Sequence, residues 1–225
     1  MPSPLALALV VGAGPGLGLA LGCRFAREGL AVALVCRAED PAERFEMALL
    51  EAGAPEAWAL PADLGDPASL ERALARIQER LGFPELLVYN AASGARGPAV
   101  DLEPEALRRA FQVNVLSLLA CVRWVQPAMR AAGRGTLLVT GGGLALEPKP
   151  GEGGPALGKA AQRSLARSLA RELAPEGIHA ATVTVAGFLQ AGGSFSPEAA
   201  AEAFWQLHRE PREAWREEWT LTPSQ

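Results

Sequence analysis

The chain has 225 residues, 49% of them apolar, enough to build one full-sized globular core or two small ones. Its 21 Lys and Arg against 25 Asp and Glu give a formal charge of -4, without the basic surplus that holds a phosphate backbone, so nucleic acid is not expected as a partner. Three widely spaced cysteines, Cys23, Cys36 and Cys121, form no CxxC pair and the two histidines, His179 and His208, offer no cluster, so neither a disulfide framework nor a metal site is expected.

In chain order, the first expected strand is Leu5 to Val11. This run and Leu116 to Val122 are far shorter than the roughly 20 residues that span a bilayer. Met1-Pro2-Ser3-Pro4 lacks the basic start of a secretory signal, so no membrane partner and a cytoplasmic location are expected. A turn, Gly12-Ala-Gly14-Pro-Gly16-Leu17-Gly18, then opens a helix over Gly16 to Glu28. Gly12 permits a tight turn, Gly16 lets a pyrophosphate approach the backbone, and Gly18 lets helix and strand pack closely, while free N–H groups at the helix start attract negative charge. Strands follow at Leu30 to Cys36, Ala57 to Leu60, Leu86 to Tyr89, Gly135 to Thr140 and His179 to Val185. The intervening helices fall at Pro41 to Ala52, Pro67 to Leu81, Pro104 to Ala131 and Ala156 to Ala174.

This alternation, with strands that are almost uniformly apolar, predicts an α/β protein with a doubly wound parallel sheet, a Rossmann fold, as a single domain over 1–225. Two segments depart from the rhythm. Residues 141–155 hold six glycines and three prolines and are expected as an active-site loop, and 197–225, with Trp205, Trp215 and Trp219, as a helical tail packed on the body or on another subunit. Gly153 to Lys159 matches the start of GxxxxGK[ST], but Ala160 replaces the magnesium-binding hydroxyl and the preceding strand ends too early, so a triphosphate-binding loop is set aside.

The spacing Gly12-x-x-x-Gly16-x-Gly18 resembles that of the short-chain dehydrogenase/reductase family, and further motifs follow in the family's order from residue 5 to about 190. Asp63, in Pro61-Ala-Asp63-Leu64, resembles the family's adenine-contacting acid. Tyr89-Asn90-Ala91-Ala92 resembles a weakened Asn-Asn-Ala-Gly motif, Asn114 the family's helix asparagine, and Lys159 its active-site lysine. The chain has only two asparagines and two lysines, yet both asparagines and one lysine fall on these positions. The resemblance implies a cofactor site built from Gly12, Gly14, Gly16, Leu17, Gly18, Arg37, Asp63, Leu64, Asn90, Ala91 and Lys159, with Lys159 and Asn114 as catalytic residues. Arg37, just after the second strand, suits the 2′-phosphate of NADP rather than the bare ribose of NAD, against the opposing charges of Glu39 and Asp40. Family members often form dimers and tetramers, so a homodimer or homotetramer is expected through the helices at 104–131 and 156–174, the second smooth with Ala160, Ala161, Ser164, Ala166, Ser168 and Ala170.

The pattern breaks at the chemistry. Counting back from Lys159, the family's tyrosine falls on Pro155 and its serine on Gly142, and Tyr89, the one tyrosine in the chain, lies elsewhere. The proline-glycine motif after the sixth strand is altered to Ala186-Gly187. Thr140, Glu147, Lys149 and Glu152 remain as candidate substrate contacts, and Phe188, Leu189 and Phe195 as an apolar wall or a cap on the core. Three readings stay open: a divergent NADP-dependent oxidoreductase acting on a small carbonyl or alcohol, a catalytically inactive NAD(P)-binding sensor or regulatory protein of the same fold, or a protein that keeps the fold and has lost the ligand.

Overall fold

The computed structural model describes residues 6–39, 41–187, 189 and 195–222. Its strands are β1 (Leu7–Ala13), β2 (Ala31–Cys36), β3 (Ala57–Pro61), β4 (Leu86–Tyr89), β5 (Gly135–Gly142), β6 (Ile178–Val185) and β7 (Glu218–Leu221). The helices are α1 (Leu17–Ala26), α2 (Ala42–Glu51), α3 (Pro67–Leu81), α4 (Pro104–Phe111), α5 (Ser117–Ala132), α6 (Gly153–Leu173) and α7 (Pro197–His208). The described strands form one seven-stranded sheet in the order β3-β2-β1-β4-β5-β6-β7, every pair parallel. Parallel strands need crossover helices on both faces, which is why β2 and β6 are buried at every position. One face is closed by α3, α5 and α6 around Ile77, Val125 and Ala166, the other by α1, α2 and α7 around Phe25, Leu49 and Phe204. The order reverses between β1 and β4, paired from Ala8 and Leu86 to Val11 and Tyr89, so a crevice opens where those strands end.

Local chemistry sets several boundaries. Asp66 caps α3 by accepting from the Ala68 N–H with Pro67 at the first helical position, and Ser196 caps α7 in the same way ahead of Pro197. The remaining differences from expectation have tertiary causes. β1 runs two residues beyond Val11, and Leu5 lies outside the described residues. The helix expected over 104–131 is interrupted by a π-helical turn, Gln112–Leu116. The loop expected over 141–155 narrows to 143–152, because β5 stays paired with β6 as far as Gly142 and Val185 and α6 begins at Gly153. The triphosphate-loop motif therefore lies inside α6. The tail is more than a helix: after α7 the chain turns through Arg212–Ala214 and adds β7 beside β6. Arg163 of α6 holds β7 there through a bidentate pair with Glu218 at 2.6 to 3.0 Å, with Thr184 donating to the same carboxylate at 2.7 Å. Cys36 and Cys121 are buried and Cys23 half-buried. Among the described residues no group of His, Cys, Asp and Glu is placed to hold a metal ion, and no helix is long and apolar enough to cross a membrane.

Candidate functional site

The four glycines of the first turn divide into two kinds. Gly12 has φ +87°, and a Cβ on it would lie 2.5 Å from the Ala91 backbone; a Cβ on Gly18 would lie 2.6 Å from the Ala13 Cα. The fold itself requires these two. Gly14 and Gly16 have nothing within 4 Å of the Cβ position, so their backbone faces open space. Gly16 caps α1 without any side-chain cap, which leaves first-turn N–H groups directed at that space.

The space is a cleft of about 780 Å³ running from this turn, past the end of β2, to the loop after β4. Gly12, Gly14, Gly16, Leu17, Gly18, Arg37, Asp63, Leu64, Asn90 and Ala91 line it, while Lys159, expected in the same set, lines the neighbouring cavity instead. At one end Arg37 is 73% exposed and pairs with Glu39 at 3.0 Å; Asp40 lies outside the described residues. Asp63 accepts from the Gly65 N–H at 2.7 Å, which fixes the turn after β3.

At the inner end a chain of bonds ties β1, the end of β4, β5 and α6 together. The Asn90 amide donates to Gly12 O at 2.8 Å and its oxygen accepts from the Thr140 hydroxyl at 2.8 Å. The Lys159 ammonium donates to Thr140 O at 2.6 Å. Thr140 is thereby committed to the scaffold, and with 8% exposure it lines neither cavity. Burial lowers the Lys159 amine from the ordinary lysine range to about 8.

Asn114 sits in the π turn, 1% exposed. Its side chain accepts from the Ser93 N–H at 2.9 Å and donates to Ser93 O at 2.6 Å, so both ends of the amide hold one residue of the loop after β4. Asn114 therefore acts from behind the cavities rather than inside them. The π turn is held by the Tyr89 hydroxyl, which donates to Val113 O, and burial keeps the Tyr89 phenol well above the usual range. Gly158 makes the arrangement possible, since a Cβ there would fall 2.2 Å from Asn114 Nδ2.

A second cavity of about 580 Å³ adjoins the first at Ala92 and Ser93. Lys159, Gly142 and Pro155 line it together, so the two positions expected to replace the family's hydroxyls share one cavity with the lysine. Glu147, Lys149 and Glu152 line it as well, with Arg96 paired to Glu152 at 3.1 Å. Its wall is formed by close backbone packing. A Cβ on Gly94 would lie 2.5 Å from Pro155 N, one on Gly154 2.3 Å from Ala95 O, and the Gly97 N–H donates to Gly151 O at 2.8 Å. Of the expected apolar wall, Leu189 packs on the core beneath the sheet, Phe195 approaches Gly187, and Phe188 lies outside the described residues.

Sequence reasoning missed Ser93, and it missed Gln162, which donates to Ala91 O at 2.8 Å from one turn beyond Lys159. The available signal was position: a hydroxyl directly after Asn90-Ala91-Ala92, and a polar residue three after Lys159 on a face otherwise filled by Ala166 and Leu169.

A glycine turn at the switch point of a doubly wound sheet, with its helix start uncapped toward a cleft, defines a nucleotide-binding Rossmann domain. Residues 6–192 match the family model for short chain dehydrogenase, and the chain belongs to that family of oxidoreductases. A sorbitol dehydrogenase of Cereibacter sphaeroides is 35% identical over 115 residues, 51% of this chain and 43% of that protein, so the chain spans about half the length of the curated relatives it matches. A short-chain dehydrogenase from Rhodopseudomonas palustris superposes with a TM-score of 0.86 at 25% identity, over 97% of this chain and 99% of that one. An alcohol dehydrogenase from the archaeon Thermococcus sibiricus, solved with 5-hydroxy-NADP, superposes with a TM-score of 0.80 at 25% identity over 96% of both chains.

Proposed function

We propose that this chain is an NADP(H)-dependent oxidoreductase acting on a small carbonyl or alcohol substrate. The observation that carries the reading is the junction of two cavities at Ala92 and Ser93, one fitted to a dinucleotide and the other holding Lys159. The fit is specific in its chemistry: open backbone at Gly14 and Gly16 for a pyrophosphate, Asp63 and Leu64 toward an adenine, and Arg37 for a 2′-phosphate, which a guanidinium pairs with two parallel hydrogen bonds. When bound, the nicotinamide supplies hydride chemistry. The chain's own residues do the rest. Asn90 and Thr140 hold the floor of the site, Asn114 fixes the loop that joins the cavities, and Lys159 orients the nucleotide ribose and holds a proton at its amine. Pro155 and Gly142 bring no acid, which is consistent with slower turnover, since a positioned proton donor contributes about 10²- to 10⁴-fold. The solved alcohol dehydrogenase with bound 5-hydroxy-NADP supports the cofactor assignment by likeness. Assembly as a homodimer or homotetramer and a cytoplasmic location belong to the same proposal; exposed Phe111, Leu116 and Leu157 on α4, the π turn and α6 supply the apolar surface for a second copy.

The test is a titration with NADPH, NADP, NADH and NAD, followed by cofactor fluorescence and thermal shift. NADPH is expected to bind in the micromolar range and more tightly than NADH. Arg37→Ala should lose about 10- to 100-fold for NADPH, the value of a charged hydrogen bond of about 1.5–3 kcal/mol, and little for NADH. Equal affinity for NADPH and NADH in the wild type, unmoved by Arg37→Ala, would refute the NADP assignment.

A further inference from the structure

We propose that Ser93 supplies the hydroxyl that binds the substrate carbonyl oxygen and delivers its proton, in place of the side chains absent at Gly142 and Pro155. The inference deepens the function proposed above and rests on it. Ser93 is the only hydroxyl-bearing residue in the described lining of either cavity, and it lies where the two meet. The neighbouring hydroxyls are committed elsewhere: Thr140 donates to Asn90, Tyr89 to Val113 O, and Ser117 to Leu64 O. The Ser93 side chain, by contrast, has no hydrogen-bond partner among the described residues, while its backbone is held on both sides by Asn114 at 2.9 and 2.6 Å. A hydroxyl that is unengaged yet carried on a clamped backbone is what a substrate oxygen requires, because little ordering remains to be done on binding. The Lys159 turn abuts the same residue: a Cβ on Gly158 would lie 3.3 Å from Ser93 O, and Lys159 shares the second cavity with Ser93.

The chemistry balances. A bound reduced nicotinamide would supply the hydride, and the carbonyl oxygen would then need a proton from the chain. The Ser93 O–H bond breaks and its proton forms the new alcohol O–H. The Lys159 ammonium returns a proton to Ser93 Oγ within the cavity and recovers one from solvent. The two electrons of the reduction would come from that hydride, and Ser93 and Lys159 would move only protons.

The experiment compares the wild-type chain with Ser93→Ala and Ser93→Thr, using 4-nitrobenzaldehyde as the probe carbonyl and following NADPH binding and NADPH oxidation separately. Ser93→Ala is expected to keep its NADPH dissociation constant and melting temperature and to lose about 100-fold or more in kcat; Ser93→Thr should restore much of it. A readout that needs no turnover is alkylation of Ser93→Cys by iodoacetamide. The new thiol should react at least tenfold faster than Cys23, which is half-buried with its pKa raised by burial. Turnover of Ser93→Ala within twofold of wild type, or failure of the new thiol to react, would overturn the assignment. A wild-type chain that binds NADPH without reducing the aldehyde overturns the role of Ser93 while leaving the cofactor site standing, whereas a chain that binds no nicotinamide nucleotide removes the proposed function itself.

Discussion

Lys159 governs the pH behaviour of the site at the scale of a single residue. Its native value of about 8 lies below the ordinary 10.5, so between those pH values the unfolded chain keeps a proton that the folded chain has released. Stability therefore rises with pH across that window, and below pH 8 the full penalty of burying the ammonium is present. Lys159→Met is expected to stabilise the fold at pH 7 by on the order of 1–3 kcal/mol, with the gain vanishing above about pH 10.5. Thermal unfolding at both pH values checks this, and an equal gain at each would exclude the burial penalty as its source. With this ammonium as the proton reservoir, the rate of carbonyl reduction should also fall as pH rises through about 8. At the other end of the cleft, Arg37 and Glu39 form an exposed pair, and in the proposed NADP(H) reading Glu39 would compete with the 2′-phosphate for Arg37. Glu39→Gln is expected to tighten NADPH binding about two- to fivefold and leave NADH unchanged, since exposed ion pairs are worth about 0.2–1 kcal/mol. A fluorescence titration of both nucleotides decides it.

At the scale of elements, the π turn between α4 and α5 is the device that aims Asn114 at the loop after β4. An extra residue in a helical turn frees a carbonyl, and here Tyr89 from the neighbouring strand satisfies Val113 O. Tyr89→Phe leaves that carbonyl unpaired in the interior and should destabilise the fold by about 1–3 kcal/mol, measured by urea unfolding. Because Val113 lines the nucleotide cleft, the same variant should also weaken NADPH binding; a stability loss with affinity unchanged would separate the turn from the site. Gly158 belongs to the same unit, since its missing side chain leaves the room that the Asn114 amide fills.

At the scale of the whole molecule, β7 closes the sheet edge beside β6, and α7 packs on the face that α1 covers. His179, 3% exposed, stacks on Trp215 at 4.9 Å with its ring nitrogens 3.1 Å from Leu207 O and 3.0 Å from Arg216 O, and His208 pairs with the Thr136 hydroxyl at 2.9 Å. Burial, then the nearby charges of His179 and Arg209, lower His208 from its ordinary 6.5 to about 4. Below pH 6.5 the unfolded chain takes up a proton that the folded chain refuses until about pH 4, so stability is lost as pH falls through that window. His208→Asn should flatten this acid limb, a change visible in melting temperatures recorded from pH 7 to pH 4.

The sequence by itself determined the alternation of strands and helices and the glycine turn. Each is a local signal: a buried parallel strand must be apolar throughout, and a tight strand-to-helix turn demands glycine at fixed offsets. Only the tertiary structure decided the π turn that divides the expected long helix, the parallel pairing of β7, and the commitment of Thr140 to Asn90. It also decided that Asn114 clamps Ser93 from behind, and that Ser93 stands where the two cavities meet. These features depend on contacts between segments far apart in the chain, such as Gly94 against Pro155 and Gly158 against Asn114, and such contacts are set by how closely two backbones can approach. Periodicity records which face of an element is buried; it carries no record of what that face will touch.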